Sequence, residues 1–156
     1  MQINIPEIVQ YDPAFNSEFK RLNYEWLNKY FYVTAEDNKM LSDPEKIIRE
    51  GGCILFVRIR ENIVGTCALI KVSAEEYEVA KMAVTEMEQG KKIGRLLMNE
   101  IIKEAKKRGA KIISLETAKP LKAAVALYQK FGFLPTTEER IHTIFGRTTF
   151  RMELKV

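Results

Sequence analysis

The 156-residue chain is 46% hydrophobic and 29% charged, with 25 basic against 21 acidic residues and a formal net charge of +4. That is an ordinary globular composition, not that of a disordered polar chain, and the basic excess is too small for a dedicated nucleic-acid binder. No apolar run approaches the roughly 20 residues that cross a bilayer, and MQINIPEIVQYD carries no basic leader with an apolar core, so neither membrane nor export is expected. The length suits one domain over residues 1–156, with no internal repeat or Gly/Ser linker to divide it. Cys53 and Cys67 lie inside apolar runs without CxxC or metal-ligand spacing. They read as buried reduced thiols in a cytoplasmic protein, and no metal is expected.

In chain order, residues 2–11 read as a first strand. Residues 13–32 turn helical, with Phe15, Phe19, Leu22, Trp26, Leu27 and Tyr30 recurring at three- and four-residue steps. A short helix is predicted over 43–50, with Pro44 at its first position and Gly51-Gly52 at its end. CILFVRIR (53–60) and IVGTCALIKV (63–72) are β-rich runs joined by Glu61-Asn62, a hairpin signature. YEVAKMAV (77–84) is a third strand, and simple alternation puts Glu78, Ala80, Met82 and Val84 on one face of it. A helix follows over 93–108 with Leu97, Met98, Ile101, Ile102 and Ala105 on its apolar side, then Gly109 as cap. IISLET (112–117) is a short strand and 120–131 a second amphipathic helix. A strand begins at Phe133-Leu134, and RTTFRMEL (147–154) alternates to the end. Strands first, then β-α-β-α-β, predict an α/β mixed sheet of about six to seven strands with about four helices on its faces.

The stretch QGKKIGRLLM (89–98) places Gly90 and Gly94 around Lys91 and Lys92 where the helix begins. A helix N-terminus presents about four unpaired N–H groups and a partial positive charge. Glycines let backbone approach a phosphate closely, and Lys91, Lys92 and Arg95 add attraction. The spacing is neither a P-loop nor the three-glycine dinucleotide fingerprint. A punctuated helix start and an anion cradle both fit this turn.

The wider segment MAVTEMEQGKKIGRLLM, with AAVALYQKFGF (123–133) downstream, resembles the GCN5-related N-acetyltransferase (GNAT) family. Gln89 and Gly94 match the ends of the family's Gln/Arg-x-x-Gly-x-Gly/Ala pattern, while Lys92 stands where the family has a glycine. The second segment is similar to the family's AxxLYxKxGF ending. The resemblance is specific over about Val79 to Phe133. It implies the GNAT acyl-CoA N-acyltransferase fold and transfer of an acetyl group from acetyl-CoA directly to a primary amine. By position, the backbones of Met82 and Val84 would pair with the pantetheine arm. The turn of Gln89, Gly90, Lys91, Lys92, Ile93, Gly94 and Arg95 would wrap the pyrophosphate. Tyr128 aligns with the family's tyrosine that protonates the departing thiolate, and Glu78 with a glutamate that some members use as base. Glu116 is a second candidate base. Many relatives carry an asparagine before the second segment; here Ala118 and Leu121 hold the available positions.

Under the same family layout, Trp26, Tyr30, Phe31 and Tyr32 with Glu36 and Asp37 are expected to form an aromatic, acidic acceptor pocket, with helix core plus a polar loop as the alternative reading. His142, the single histidine, is assigned no role. The final strand is read as an exposed edge able to pair two subunits into a homodimer. A catalytically weak acyl-CoA-binding sensor is the alternative function. A nucleic-acid binder using the 91–111 lysines is a third, opposed by the absence of interleaved aromatic platforms.

Overall fold

The computed structural model describes residues 4–156. The part of the first expected strand before Asn4 lies outside them; the strand itself, β1, is Glu7–Gln10. A 3-10 turn, Pro13–Phe15, leads into α1, Asn16–Tyr30. A helix that periodicity did not predict, α2, spans Ala35–Leu41. It is started by a capping box in which Thr34 and Asp37 satisfy each other's backbone N–H groups. The short α3 is Glu45–Arg49. Strands β2 (Cys53–Ile59) and β3 (Asn62–Lys71) form the expected hairpin, but the loop residues are Arg60 and Glu61 rather than 61 and 62. Arg60 adopts a left-handed φ of 56° there. Then come β4 (Glu76–Val84), α4 (Ile93–Lys107), β5 (Ile112–Thr117) and α5 (Lys122–Lys130). Two-residue strands β6 (Leu134–Pro135) and β7 (Arg140–Ile141) precede β8, Thr148–Lys155.

The described residues thus form an eight-stranded mixed sheet with five α-helices, close to the predicted counts. The strand order is β1-β2-β3-β4-β5-β8-β6, with β7 also on β8. Only β4 and β5 run parallel, joined through α4. The closing strand is not a free edge: β8 pairs β5 on one side and β6 and β7 on the other. The side of β8 expected to be an exposed edge is thus occupied by the chain's own short strands.

Apolar side chains fill both faces of the sheet, which explains why β2 reads as a continuous hydrophobic run. Leu55 and Val57 of β2 pack with Leu97, Met98 and Ile101 of α4 and with Tyr128 and Phe133. Ile54 and Phe56 face Phe19, Leu22 and Leu27 of α1, with Leu41 and Ile47. Burying both cysteines in these layers leaves them free thiols, with Cys53 pushed up to about 11 by desolvation.

A β-bulge interrupts the β3–β4 ladder. Thr66 opposes Ala83 and Ala68 opposes Ala80, so Cys67 faces the two residues Lys81 and Met82. Lys81 takes a left-handed φ of 55° at this point. The extra residue inverts the alternation. Tyr77 and Val79 before it share the α4 layer with Met82 and Val84 after it, while Ala83 joins the α1 layer. Glu78 and Met82 therefore do not share a face, contrary to the simple alternation read from the sequence.

The start of α4 rests on β3 at Gly65. A Cβ there would stand 3.1 Å from Ile93 Cγ2 and 3.2 Å from Leu97 Cδ1, tighter than those side chains accept without moving. Gly65→Val is expected to destabilise the protein by about 1–3 kcal/mol in urea unfolding through overpacking. A change below about 0.5 kcal/mol would show that the first turn of α4 shifts freely.

Candidate functional site

One cavity of about 590 Å³ runs along the sheet between the α1–α2 region and the starts of α4 and α5. It exists because β4 and β5 part. They pair only at Glu76–Glu78 with Ile112–Ser114, although β4 continues to Val84 and β5 to Thr117. Beyond Glu78 the β4 backbone has no strand partner on its β5 side among the described residues. Met82 and Val84 line this opening. The Val84 carbonyl accepts a hydrogen bond from Gln89 Nε2 at 3.1 Å, so the Gln89 side chain is spent on holding the turn.

The turn after β4 is pinned from α1. Glu25 accepts hydrogen bonds from the Glu86 N–H at 2.6 Å and from Thr85 Oγ1 at 3.1 Å, and Lys29 pairs with Glu86 at 2.6 Å. Gly90 has φ 80° with open space where a Cβ would be. Lys92, at the N-cap of α4, sits at φ 66°, ψ 17°, the left-handed well. A non-glycine residue there costs roughly 1 kcal/mol, which the family's glycine avoids. No side chain among the described residues caps α4, so its first N–H groups are left for another partner. Gly90, Lys92, Ile93, Gly94 and Arg95 all line the cavity. Lys91 does not; it pairs with Glu88 at 3.2 Å. Gly94 lets α5 come close, since a Cβ would meet Leu127 Cδ2 at 3.2 Å.

Tyr128 of α5 is buried on the cavity wall, its ring set edge-on to Phe133 with centroids 6.1 Å apart. Burial pushes its phenol well above the ordinary value, so it stays protonated. Ala118 and Leu121 line the same wall without offering an amide. The neighbouring Thr117 Oγ1 is buried without a partner among the described residues.

The two candidate bases separate clearly. Glu116 accepts hydrogen bonds from Arg140 and, at 3.0 Å, from Thr149 Oγ1. Glu78 makes no ion pair or hydrogen bond among the described residues. Desolvation first, and the negative charge of Glu116 second, raise its carboxyl above the ordinary carboxylate value. Glu78 is the carboxylate left uncommitted in the cavity.

The far end is aromatic. Trp26, Tyr30 and Phe31 line it as expected, with the Trp26 and Phe31 rings edge-to-face at 6.2 Å. Tyr32 and Glu36 lie outside the cavity wall, and Asp37 is fully buried beneath it. Asp37 caps α2 and forms an ion pair with Arg147, whose guanidinium lies 5.4 Å from the Phe31 ring centre and 5.2 Å from that of Phe145. Burial alone would raise the Asp37 carboxyl, but the hydrogen bonds from Arg147 and Thr34 outweigh it and hold the group below its ordinary value. The acidic acceptor pocket read from the sequence is thus corrected: Asp37 is a structural anchor already matched to a cation. His142 also has a place, since its Nδ1 accepts from the Ile144 and Phe145 N–H groups at 3.2 and 3.4 Å and shapes the loop carrying Phe145. Lys81, which no sequence pattern singled out, enters the cavity at the bulge with its Nζ 4.6 Å from the centre of the Phe145 ring.

The comparisons with known proteins agree with this geometry. The model of the acetyltransferase (GNAT) family matches residues 13–133. An uncharacterized N-acetyltransferase of Schizosaccharomyces pombe is 40% identical over 148 residues, 91% of this chain and 90% of that one. An uncharacterized N-acetyltransferase of Bacillus subtilis is 33% identical over 101 residues, 62% of this chain but only 65% of that one. Among solved structures, an acetyltransferase of Salmonella typhimurium with its cofactor acetyl-CoA superposes with a TM-score of 0.79 at 20% identity, covering 97% of this chain and 94% of that one.

Removing Arg147 leaves Asp37 as an unpaired buried charge, so Arg147→Met is expected to cost about 3–5 kcal/mol in urea unfolding. A depressed carboxyl contributes stability that is present above its unfolded value of about 3.9 and lost as pH falls through its folded value. The wild-type protein should therefore lose stability below about pH 4 more steeply than Asp37→Asn. Parallel acid limbs in the two proteins would show that this pair does not set the slope.

Proposed function

Because the chain belongs to the GNAT family of acetyltransferases, we propose that it moves an acetyl group from acetyl-CoA directly to a primary amine. The observation that carries this reading is that the open β4 edge, the uncapped start of α4 and Tyr128 line one cavity. The donor fits the residues present. The β4 edge at Met82 and Val84, left without a β5 partner though the Val84 carbonyl is taken by Gln89, suits an extended amide-bearing arm, as an added strand would be held. The N–H groups at Ile93, Gly94 and Arg95, with the Lys92 and Arg95 side chains, suit a pyrophosphate. Acetyl-CoA supplies the acetyl group already activated as a thioester.

The chain's own residues then have three tasks. Glu78, its carboxyl raised above the ordinary value by burial, takes the proton from the incoming ammonium so that a free amine is presented. Tyr128, protonated at physiological pH, donates toward the sulfur that must leave. The walls of Trp26 and Phe31 keep water from competing. Direct transfer, rather than an acyl-enzyme, is supported by the thiols. Cys67 is fully buried and Cys53 nearly so, and burial raises both, which leaves neither as a nucleophile. Such reduced, buried cysteines also suit a cytoplasmic setting.

Tyr128→Phe is expected to lower thiol release from acetyl-CoA by about 10²- to 10⁴-fold, with acetyl-CoA affinity by calorimetry changed little. Undiminished turnover would remove Tyr128 from the acid role. The raised Glu78 carboxyl must lose its proton to act, so kcat/KM should rise with pH through a limb above the ordinary glutamate value of about 4.3. Glu78→Gln should abolish that limb; a profile unchanged by this substitution would assign the base elsewhere.

A further inference from the structure

The acceptor end of the cavity holds two charges that the fold itself leaves unmatched. Glu78 and Lys81 stand three residues apart on β4, Glu78 before the bulge and Lys81 in it. Each senses the other's charge, yet no ion pair joins them, and among the described residues neither has another partner of opposite sign in contact. The neighbouring charges are already committed. Arg147 is held by Asp37, and Glu116 by Arg140. Lys81 feels the charge of Asp37 without pairing with it, that carboxylate being held by Arg147, and the only contact given to its ammonium is the face of Phe145, a weak substitute for water or a counter-ion.

We infer that the acceptor is a small amino acid, its amine directed to Glu78, its carboxylate to Lys81, and its apolar side chain to the Trp26, Phe31 and Phe145 walls. This rests on the acetyltransferase reading above and names the substrate class of the same site. An isolated buried ammonium is costly, as is an isolated buried carboxylate. Desolvation lowers Lys81 below its ordinary value while it raises Glu78 above its own. A zwitterion spanning the two relieves both, whereas an amine without an anionic group relieves Glu78 alone. A polyamine is opposed by placing a second cation beside Lys81 and Arg147. The backbone supports a dedicated role for Lys81, since a lysine at φ 55° is strained where a glycine would not be.

The test is thiol release from acetyl-CoA with matched acceptors: apolar and aromatic amino acids, their carboxamides, and the amines that lack the carboxylate altogether. The free acids are expected to exceed both neutral forms in kcat/KM by about tenfold or more, as one charge-assisted contact in a dry site provides. In Lys81→Met, which keeps the alkyl stem, that ratio should fall toward one, chiefly through a higher KM for the free acid. A wild-type preference for the amides or the simple amines overturns the assignment and leaves the acetyltransferase standing. A fall in kcat by the same factor on every acceptor in Lys81→Met also overturns it, because Lys81 would then act in the chemistry rather than in selecting a carboxylate. Acetyl-CoA bound tightly by calorimetry, with no amino acid accepted, rejects the substrate class. Failure to bind acetyl-CoA at all rejects the underlying reading together with it.

Discussion

The site depends on one interruption in hydrogen bonding, the place in β4 where two residues, Lys81 and Met82, oppose the single Cys67. A bulge bends its strand and increases local twist. Here β4 keeps its ladder with β3 to Val84 but leaves β5 after Glu78. The gap between the two strands is the cavity, and the backbone beyond Glu78 is its open edge. A regular β4 would have kept Glu78 and Met82 on one face. With the bulge, Met82 joins the apolar layer under α4, while Lys81 is turned into the cavity at the acceptor end. On the proposed reading, the donor arm and the acceptor would be served by neighbouring residues of one strand.

A second constraint closes the acceptor end from a distance in sequence. Asp37 caps α2 and binds Arg147, which leads into β8, so the start and the end of the chain meet over the same cavity. The stacking of Arg147 near Phe31 and Phe145 makes the pair part of an aromatic wall rather than a surface contact. The pairing is incomplete: Asp37 Oδ1 and Arg147 Nε are buried with no hydrogen-bond partner among the described residues. A buried pair of this kind is weak evidence for net stability, since two desolvated ions roughly offset their attraction. Its value lies in register, because α2 and the 142–147 loop cannot slide past each other without stranding a charge.

Much of this was legible in the sequence, for physical reasons that differ from element to element. The β2–β3 hairpin, α4 and α5 announced themselves because each buries a face whose period matches its structure. The QGKKIG turn was legible because glycines, lysines and a helix start coincide within a few residues. By contrast α2 was missed: seven residues with two buried side chains carry little periodicity, and its capping box uses Asp37 where glutamate or glutamine is the familiar partner. The bulge was invisible because YEVAKMAV alternates acceptably in either register, and only the β3 partner decides where the extra residue falls. The misplacement of Asp37 in the acceptor pocket has the same origin. Its partner, Arg147, lies 110 residues away, and no local pattern joins them. The closing strand was read as an edge because β6 and β7 are two residues each, too short to leave a signal.

The distribution of charge explains more than its sum. A net charge of +4 says little about partners, but along the cavity the signs are ordered. Lys92 and Arg95 stand at the start of α4, where the helix already favours an anion. Toward the middle, Tyr128 is kept neutral by burial, and the nearby Cys67 thiol is silenced by the same desolvation. At the acceptor end the fold pairs Asp37 with Arg147 and Glu116 with Arg140, then leaves Glu78 and Lys81 without counter-ions. Two uncompensated charges beside two matched ones are a cost that, on the proposed reading, a ligand's charges would offset. Burial raises the Glu78 carboxyl, lowers the Lys81 ammonium and keeps the Tyr128 phenol protonated, so on the proposed reading the two unmatched groups gain most from a ligand's charges while the proton needed by the leaving sulfur does not leave early.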